Sequence, residues 1–214
     1  TFCIGSSLLN PCKPFMDLWY RMNGHFPGYK LHIVPFEDDH AGILQEIAAL
    51  GEKFDFIIGV CGSAAWLDRC SFEPLGTFQH CVAVSREHRL AGRERLTVED
   101  LYGETVMMVK RGDSPAVDEL RAELAAHPQI RIEDTPQFYD MEVFNRCAQT
   151  QNVMVTLDCW RDVHPGLVTI PVAWDHAIDY GLLYARDATE DVRQFCALAR
   201  DLVREEAKNK TDLS

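Results

Sequence analysis

The 214-residue chain has no apolar run long enough to cross a bilayer: stretches such as 56–60 and 105–109 fall far short of the roughly 20 residues that a membrane helix needs. It lacks a basic, apolar leader with a small-residue cleavage site. It opens instead on Thr1-Phe2-Cys3-Ile4-Gly5, inside a strand pattern, as an excised fragment would. Positive charge is scarce, with 21 Lys and Arg against 33 Asp and Glu and a formal net charge of -12. Like-charge repulsion from phosphates then argues against this segment gripping nucleic acid, so any DNA contact is expected to lie elsewhere. The eight cysteines form no CxxC pair and no zinc-like grouping with the eight histidines, which gives no reason to expect a metal or a cofactor. Most lie in apolar stretches such as Phe2-Cys3-Ile4 and His80-Cys81-Val82, where a free thiol behaves as a small buried hydrophobe. That favours a reducing cytoplasm over a disulfide scaffold. Catalytic signatures are missing as well. There is no GxSxG elbow, and Cys61, His80 and Asp158 make a triad only on paper, so no catalytic residue is expected and the chain is read as a non-enzyme.

What is present is a soluble globular balance, 47% hydrophobic and 25% charged, arranged as helix-length segments between short β-branched runs. That rhythm predicts an α/β protein. Strands are expected at 2–5, 29–34 and 54–59, with helices at 14–25 and 41–50 between them. The short runs 75–77 and 81–85 are too close for a crossover helix, so the chain is expected to pass directly from one sheet region to another there. The pattern then repeats: a strand at 105–109, a helix through Val117, Leu120 and Leu124 with Ser114-Pro115 as N-cap and first turn, and a strand at 130–133. A helix at 138–148, strands at 153–156, 167–170 and 180–185, and a helix at 189–204 capped by Thr189 complete it. The polar tail 208–214 is expected to fray. The tryptophans at 19, 66, 160 and 174 are read as packing anchors, Trp174 at a hinge.

His88-Arg89-Leu90-Ala91-Gly92-Arg93 followed by Leu96-Thr97-Val98-Glu99-Asp100-Leu101 resembles a signature of the effector-binding domain of LysR-type transcriptional regulators. Ile4-Gly5-Ser6, Phe26-Pro27-Gly28-Tyr29-Lys30-Leu31, Leu50-Gly51 with Phe54–Gly59, and Glu73-Pro74-Leu75-Gly76 resemble further family segments in the same order. The stretch 150–157 departs from the family pattern, replacing its glycines and proline. No cysteine pair stands where peroxide-sensing members carry one, which counts against a redox switch. The resemblance implies a type 2 periplasmic-binding-protein-like fold of two Rossmann-like α/β subdomains joined by two crossing hinge connections. Subdomain I would comprise 1–77 plus 178–214, and subdomain II the inserted 78–177, with a helix-turn-helix DNA-binding domain outside this chain. It further implies a small-molecule effector in the interdomain cleft and a homodimer or homotetramer pairing 14–25 and 29–34 with 116–126 and 130–133 of a second copy. A transporter's solute-binding protein, sharing the fold, is the alternative.

Ligands of open α/β sheets lie at the carboxyl ends of strands, beside helix N-termini. This rule selects Ser6, Ser7, Phe36, Cys61, Gly112, Asp113, Ser114, Phe138, Tyr139 and Thr156 as candidate effector-binding residues. The hydroxyls of Ser6, Ser7 and Ser114 suit a carboxylate, and Phe36, Phe138 and Tyr139 suit apolar walls. Lys13, Lys110 and Arg111 lie near those loops, whereas Glu37, Asp38 and Asp39 oppose an anion and keep an amine open.

Overall fold

Strand β1 (Phe2–Ser6) alternates its side chains between two buried layers, and in this it is typical of the molecule. A computed structural model describes residues 1–60 and 62–213. Phe2 and Ile4 enter one apolar layer together with Phe56 and Ile58 of β3 (Phe56–Val60), while Ile57 of β3 enters the layer on the opposite face. Strands buried on both faces read as continuous apolar runs, as Phe56-Ile57-Ile58 does. β1 pairs in parallel with β2 (Leu31–Pro35) and with β3. Helices α1 (Lys13–Met22) and α2 (Ile43–Ala48) cover opposite faces, burying Phe15, Leu18 and Met22, and Ile43 and Ile47, respectively.

The same device builds the other half. In β5 (Thr105–Val109), Val106 and Met108 face one core and Met107 faces another. β5 lies parallel to β6 (Arg131–Thr135) and to β7 (Val153–Leu157). Helix α4 (Pro115–Ala125) packs Val117, Leu120 and Leu124 on the first face, and α5 (Met141–Gln149) packs Val143, Phe144 and Cys147 on the second.

Two strands join the halves. β4 (Ser71–Ser85) pairs antiparallel along 71–79 with β9 (Ala177–Tyr184), then along 80–85 with β7 and β8 (Leu167–Pro171). The sheet order is β2-β1-β3-β9-β4-β7-β5-β6, with β8 on β4, so β2 and β6 are its two edges. The expectation of two separate short runs at 75–77 and 81–85 is therefore corrected: they are one strand of 15 residues. Pro74 and Gly76 suggest a break, but the ladder absorbs them as a shift of register between these positions.

Two helix boundaries also differ from the sequence reading. The last helix, α6 (Glu190–Asp212), runs through most of the tail expected to fray; Ser214 lies outside the described residues. Its charged residues are good helix formers, and Arg21 of α1 pairs with Glu206. Thr189 stands at its N-cap position as expected, but its hydroxyl bonds the Asp191 carboxylate and makes no capping bond to a backbone N–H. Helix α5 starts at Met141 rather than 138, because the Asp140 side chain caps it by accepting from the Glu142 N–H at 3.1 Å. Phe138 and Tyr139 are left in the preceding loop. The described residues hold no helix long and apolar enough to cross a membrane.

Candidate functional site

The loops at the carboxyl ends of β1, β2, β3, β5, β6 and β7 converge where the two halves face each other, and enclose a cavity of about 130 Å³. A dry cavity of roughly 150 Å³ accepts benzene, so this one suits a molecule of about one ring. Trp66, Phe138, Tyr139 and Trp160 supply aromatic walls, with Ile43, Met108, Val117, Val155, Leu157 and Ile178 behind them. Trp66 lies on the short helix α3 (Ala64–Leu67), and its ring meets Phe138 from the other half at a 6.0 Å centroid distance. Tyr139 and Trp160 form a second tilted pair at 6.0 Å.

Hydrogen bonds tie the two walls together. The N–H of Ala64 donates to the Asp113 carbonyl and that of Ala65 to Asp113 Oδ1, both at 3.0 Å. Trp160 Nε1 donates to the Leu9 carbonyl at 2.9 Å, while the Leu9 side chain enters the core around Met107 and Phe144. His40 Nδ1 bonds Asp140 Oδ2 at 2.5 Å. Gly62 allows the closest approach, since a Cβ there would lie 2.6 Å from Ser114 Oγ. Asp39, His40 and Asp140 bring ligating atoms within 4.8 Å of one another, a grouping that the search for zinc-like spacing passes over.

Three polar atoms on the lining residues are buried and have no hydrogen-bond partner: Trp66 Nε1, His80 Nδ1 and Thr156 Oγ1. Each such orphan costs about 1–3 kcal/mol of desolvation, and a ligand group could recover it. His80 is 4% exposed, and burial, reinforced by the neighbouring His176, lowers its pKa to about 4. The imidazole is therefore neutral at pH 7, with Nδ1 free to donate or accept.

Of the ten candidate residues, Asp113, Phe138, Tyr139 and Thr156 line this cavity. Cys61 lies outside the described residues. The other five do not line it, for local reasons. Ser6 Oγ accepts from the Cys12 N–H at 3.2 Å; Ser7 Oγ donates to Asp38 Oδ1 at 2.7 Å; Ser114 caps α4 through the Val117 N–H. Phe36 is buried against Phe54, and the Gly112 N–H donates to the Asp118 carboxylate. Lys13, which pairs with Asp17, Lys110 and Arg111 are not among the lining residues. All four tryptophans pack in or against cores, as expected, and Trp66 and Trp160 also line the cavity. Sequence reasoning had no signal for α3, a single turn capped by Ser63, and so none for Trp66.

The profile of the LysR substrate binding domain family matches residues 21–204. The chain belongs to this family. Among functionally curated proteins none is significantly similar in sequence. Solved structures show the same fold. The effector-binding domain of QuiR in complex with shikimate is 15% identical, with TM-score 0.65 over 95% of this chain and 97% of that one. The oxidised form of OxyR is 17% identical, with TM-score 0.61 over 95% and 94%. Holo ArgBP from T. maritima is 18% identical, with TM-score 0.56 over 94% and 89%. These likenesses give the LysR domain a type 2 periplasmic-binding-protein-like fold, which ArgBP shares, so it is the family profile that favours a regulator over a transporter's binding protein. Burial pushes the thiol of Cys81 up to about 11 and those of Cys147 and Cys196 up to about 12, so these cysteines are thiols and not reactive thiolates at neutral pH.

The depressed pKa of His80 has a measurable effect on this LysR domain. Above pH 6.5 His80 is neutral in both folded and unfolded chains. Between 6.5 and about 4 only the unfolded chain takes up the proton, so stability falls as the pH falls through that window. The loss attributable to His80 is about 3 kcal/mol at pH 4. Urea titrations from pH 7 to 4 should show a steeper decline in wild type than in His80→Phe; equal slopes would contradict a neutral buried His80.

Proposed function

We propose that the domain binds a compact small molecule in the cavity between its two halves, and that binding biases their relative orientation. The observation that supports this reading is that three residues lining one aromatic-walled cavity, Trp66, His80 and Thr156, each hold a buried polar atom without a hydrogen-bond partner. Asp113, Phe138, Tyr139 and Thr156 are the candidate residues retained as effector contacts. A subdomain of residues 1–77 plus 178–214 and an inserted one of 78–177 would move about β4 and β9, where the handover of pairing near residue 80 supports the boundary. Only an effector with different affinities for the two orientations can shift their balance. In the whole regulator the shift passes to the DNA-binding domains in the cytoplasm; the domain itself is not an enzyme. Dimerisation side by side and antiparallel is supported by the edge positions of β2 and β6 and by the exposure of Tyr20 and Ile33.

The test is a thermal-shift screen of small ring compounds at about 100 times their Kd, where binding adds about 2.7 kcal/mol and raises Tm by roughly 5–10 °C. Thr156→Trp, which fills the cavity, should abolish the shift, and Trp66→Phe should weaken it. A shift that survives both substitutions places the ligand elsewhere.

A further inference from the structure

The charge of the cavity lining limits what can bind. Asp38, Asp39 and Asp113 line it, and no lysine or arginine does among the described residues. Nor does any of the three carboxylates pair with a lysine or arginine there. Asp38 is held by neutral donors, Ser7 Oγ, the Leu9 N–H and Asn10 Nδ2. Asp113 Oδ1 accepts from the Ala65 N–H, and Asp39 Oδ1 accepts from the Ala41 N–H at 3.1 Å, with His40 Nδ1 4.0 Å away. A carboxylate ligand would enter a field of its own sign with no cation to receive it, whereas an ammonium or amidinium would meet unneutralised carboxylates. The aromatic walls act in the same direction, because the faces of Trp66, Phe138, Tyr139 and Trp160 attract cations and not anions. Trp66 Nε1 can only donate, so the ligand also needs one acceptor, while Thr156 Oγ1 and His80 Nδ1 accommodate either role.

We infer that the cavity selects a cationic ring compound, a small arylalkylamine or arylamidine carrying one hydrogen-bond acceptor, and discriminates against carboxylates. The inference rests on the reading of this cavity as the effector site, and it resolves the choice left between carboxylate and amine.

The test is calorimetric titration of the 214-residue chain with two matched sets of probes, each differing only in the charged end. One set is tyramine, 4-hydroxyphenethyl alcohol and 4-hydroxyphenylacetate; the other is 4-hydroxybenzamidine, 4-hydroxybenzyl alcohol and 4-hydroxybenzoate. Tyramine is expected to bind at least about tenfold more tightly than its alcohol, with the acid weakest, and the benzoyl set should keep that order. Asp113→Asn retains an Oδ1 acceptor for Ala65 and removes the charge, so it should lower the cation's affinity by a larger factor than the alcohol's and narrow the difference between them. Acids binding as tightly as the cations, or no binding by either set at about 10 mM, overturns the inference. Thr156→Trp separates the two levels of failure. If the acids bind and this variant abolishes their binding, the site stands and the ligand class is wrong. If a cation binds equally well to a folded Thr156→Trp, the site is wrong and the inference falls with it. Trp66→Phe, which removes the indole donor together with part of the ring, gives a second reading should Thr156→Trp not fold: an unchanged cation affinity places the ligand elsewhere.

Discussion

Gly181→Ala is expected to lower stability by more than about 4 kcal/mol, a cost that only severe mechanisms reach. A Cβ at this position would lie 2.1 Å from the Glu73 carbonyl oxygen and 2.8 Å from the Phe72 ring. The obstacle is backbone within the β4–β9 ladder, beside the shift of register between Pro74 and Gly76, so no side-chain rotation relieves it. Gly181 also opposes Gly59 of β3 on its other side, which blocks retreat in that direction. Urea denaturation followed by circular dichroism measures the effect, with Gly92→Ala as the control because a Cβ there meets nothing within 4 Å. The control should stay within about 1 kcal/mol of wild type. A Gly181→Ala protein of near-normal stability would refute the close crossing of β9 over β4.

Phe195→Ala is expected to cost about 4 kcal/mol, the middle of the range for a buried aromatic truncated to alanine. Phe195 is fully buried on α6 and stacks on Phe15 at 4.9 Å, with Phe56 at 5.2 Å, Phe2 at 5.5 Å and Phe26 at 5.6 Å. These rings come from β1, α1, the turn after it, and β3, so the hole would open at the centre of a cluster that no single element can collapse to fill. The same titration reads the loss, and Phe195→Leu should recover part of it. The cost should also appear as detachment of α6, whose remaining anchor to the sheet includes the Arg200–Glu73 pair with Glu73 buried.

Strands buried on both faces were legible in the sequence because their apolar runs are short and bounded: the span 105–109 expected for β5 is the span found. The helix N-caps were legible where a short polar side chain precedes a proline, as at Ser114-Pro115, and were missed at Asp140, where the capping bond to Glu142 moved the start of α5 by three residues. That small shift matters for the site, since it leaves Phe138 and Tyr139 in a loop that faces the cavity. Ser6 and Ser7 are absent from the lining for a reason the sequence does not carry, since loop serines at a strand's carboxyl end look alike whether they meet a ligand or their own backbone. Here a bond to Asp38 decides Ser7, a partner 31 positions away that periodicity cannot supply. Trp66 and His80 carry no local signature at all. What makes them functional candidates is an unpartnered nitrogen in a buried place, a property of packing and not of sequence.

The long continuous β4 has a mechanical consequence. A loop between two bodies swivels freely, but a ladder running 71–79 against 177–184 moves as a ribbon whose bonds all stretch together. Between the halves, residues 77–79 and 177–179 pair with each other beyond the reach of β3 and β7, and two-stranded stretches carry more twist than wider sheet. The reorientation of the halves proposed above would therefore be coupled to the twist of these two strands, as in a leaf spring, and not to a free swivel.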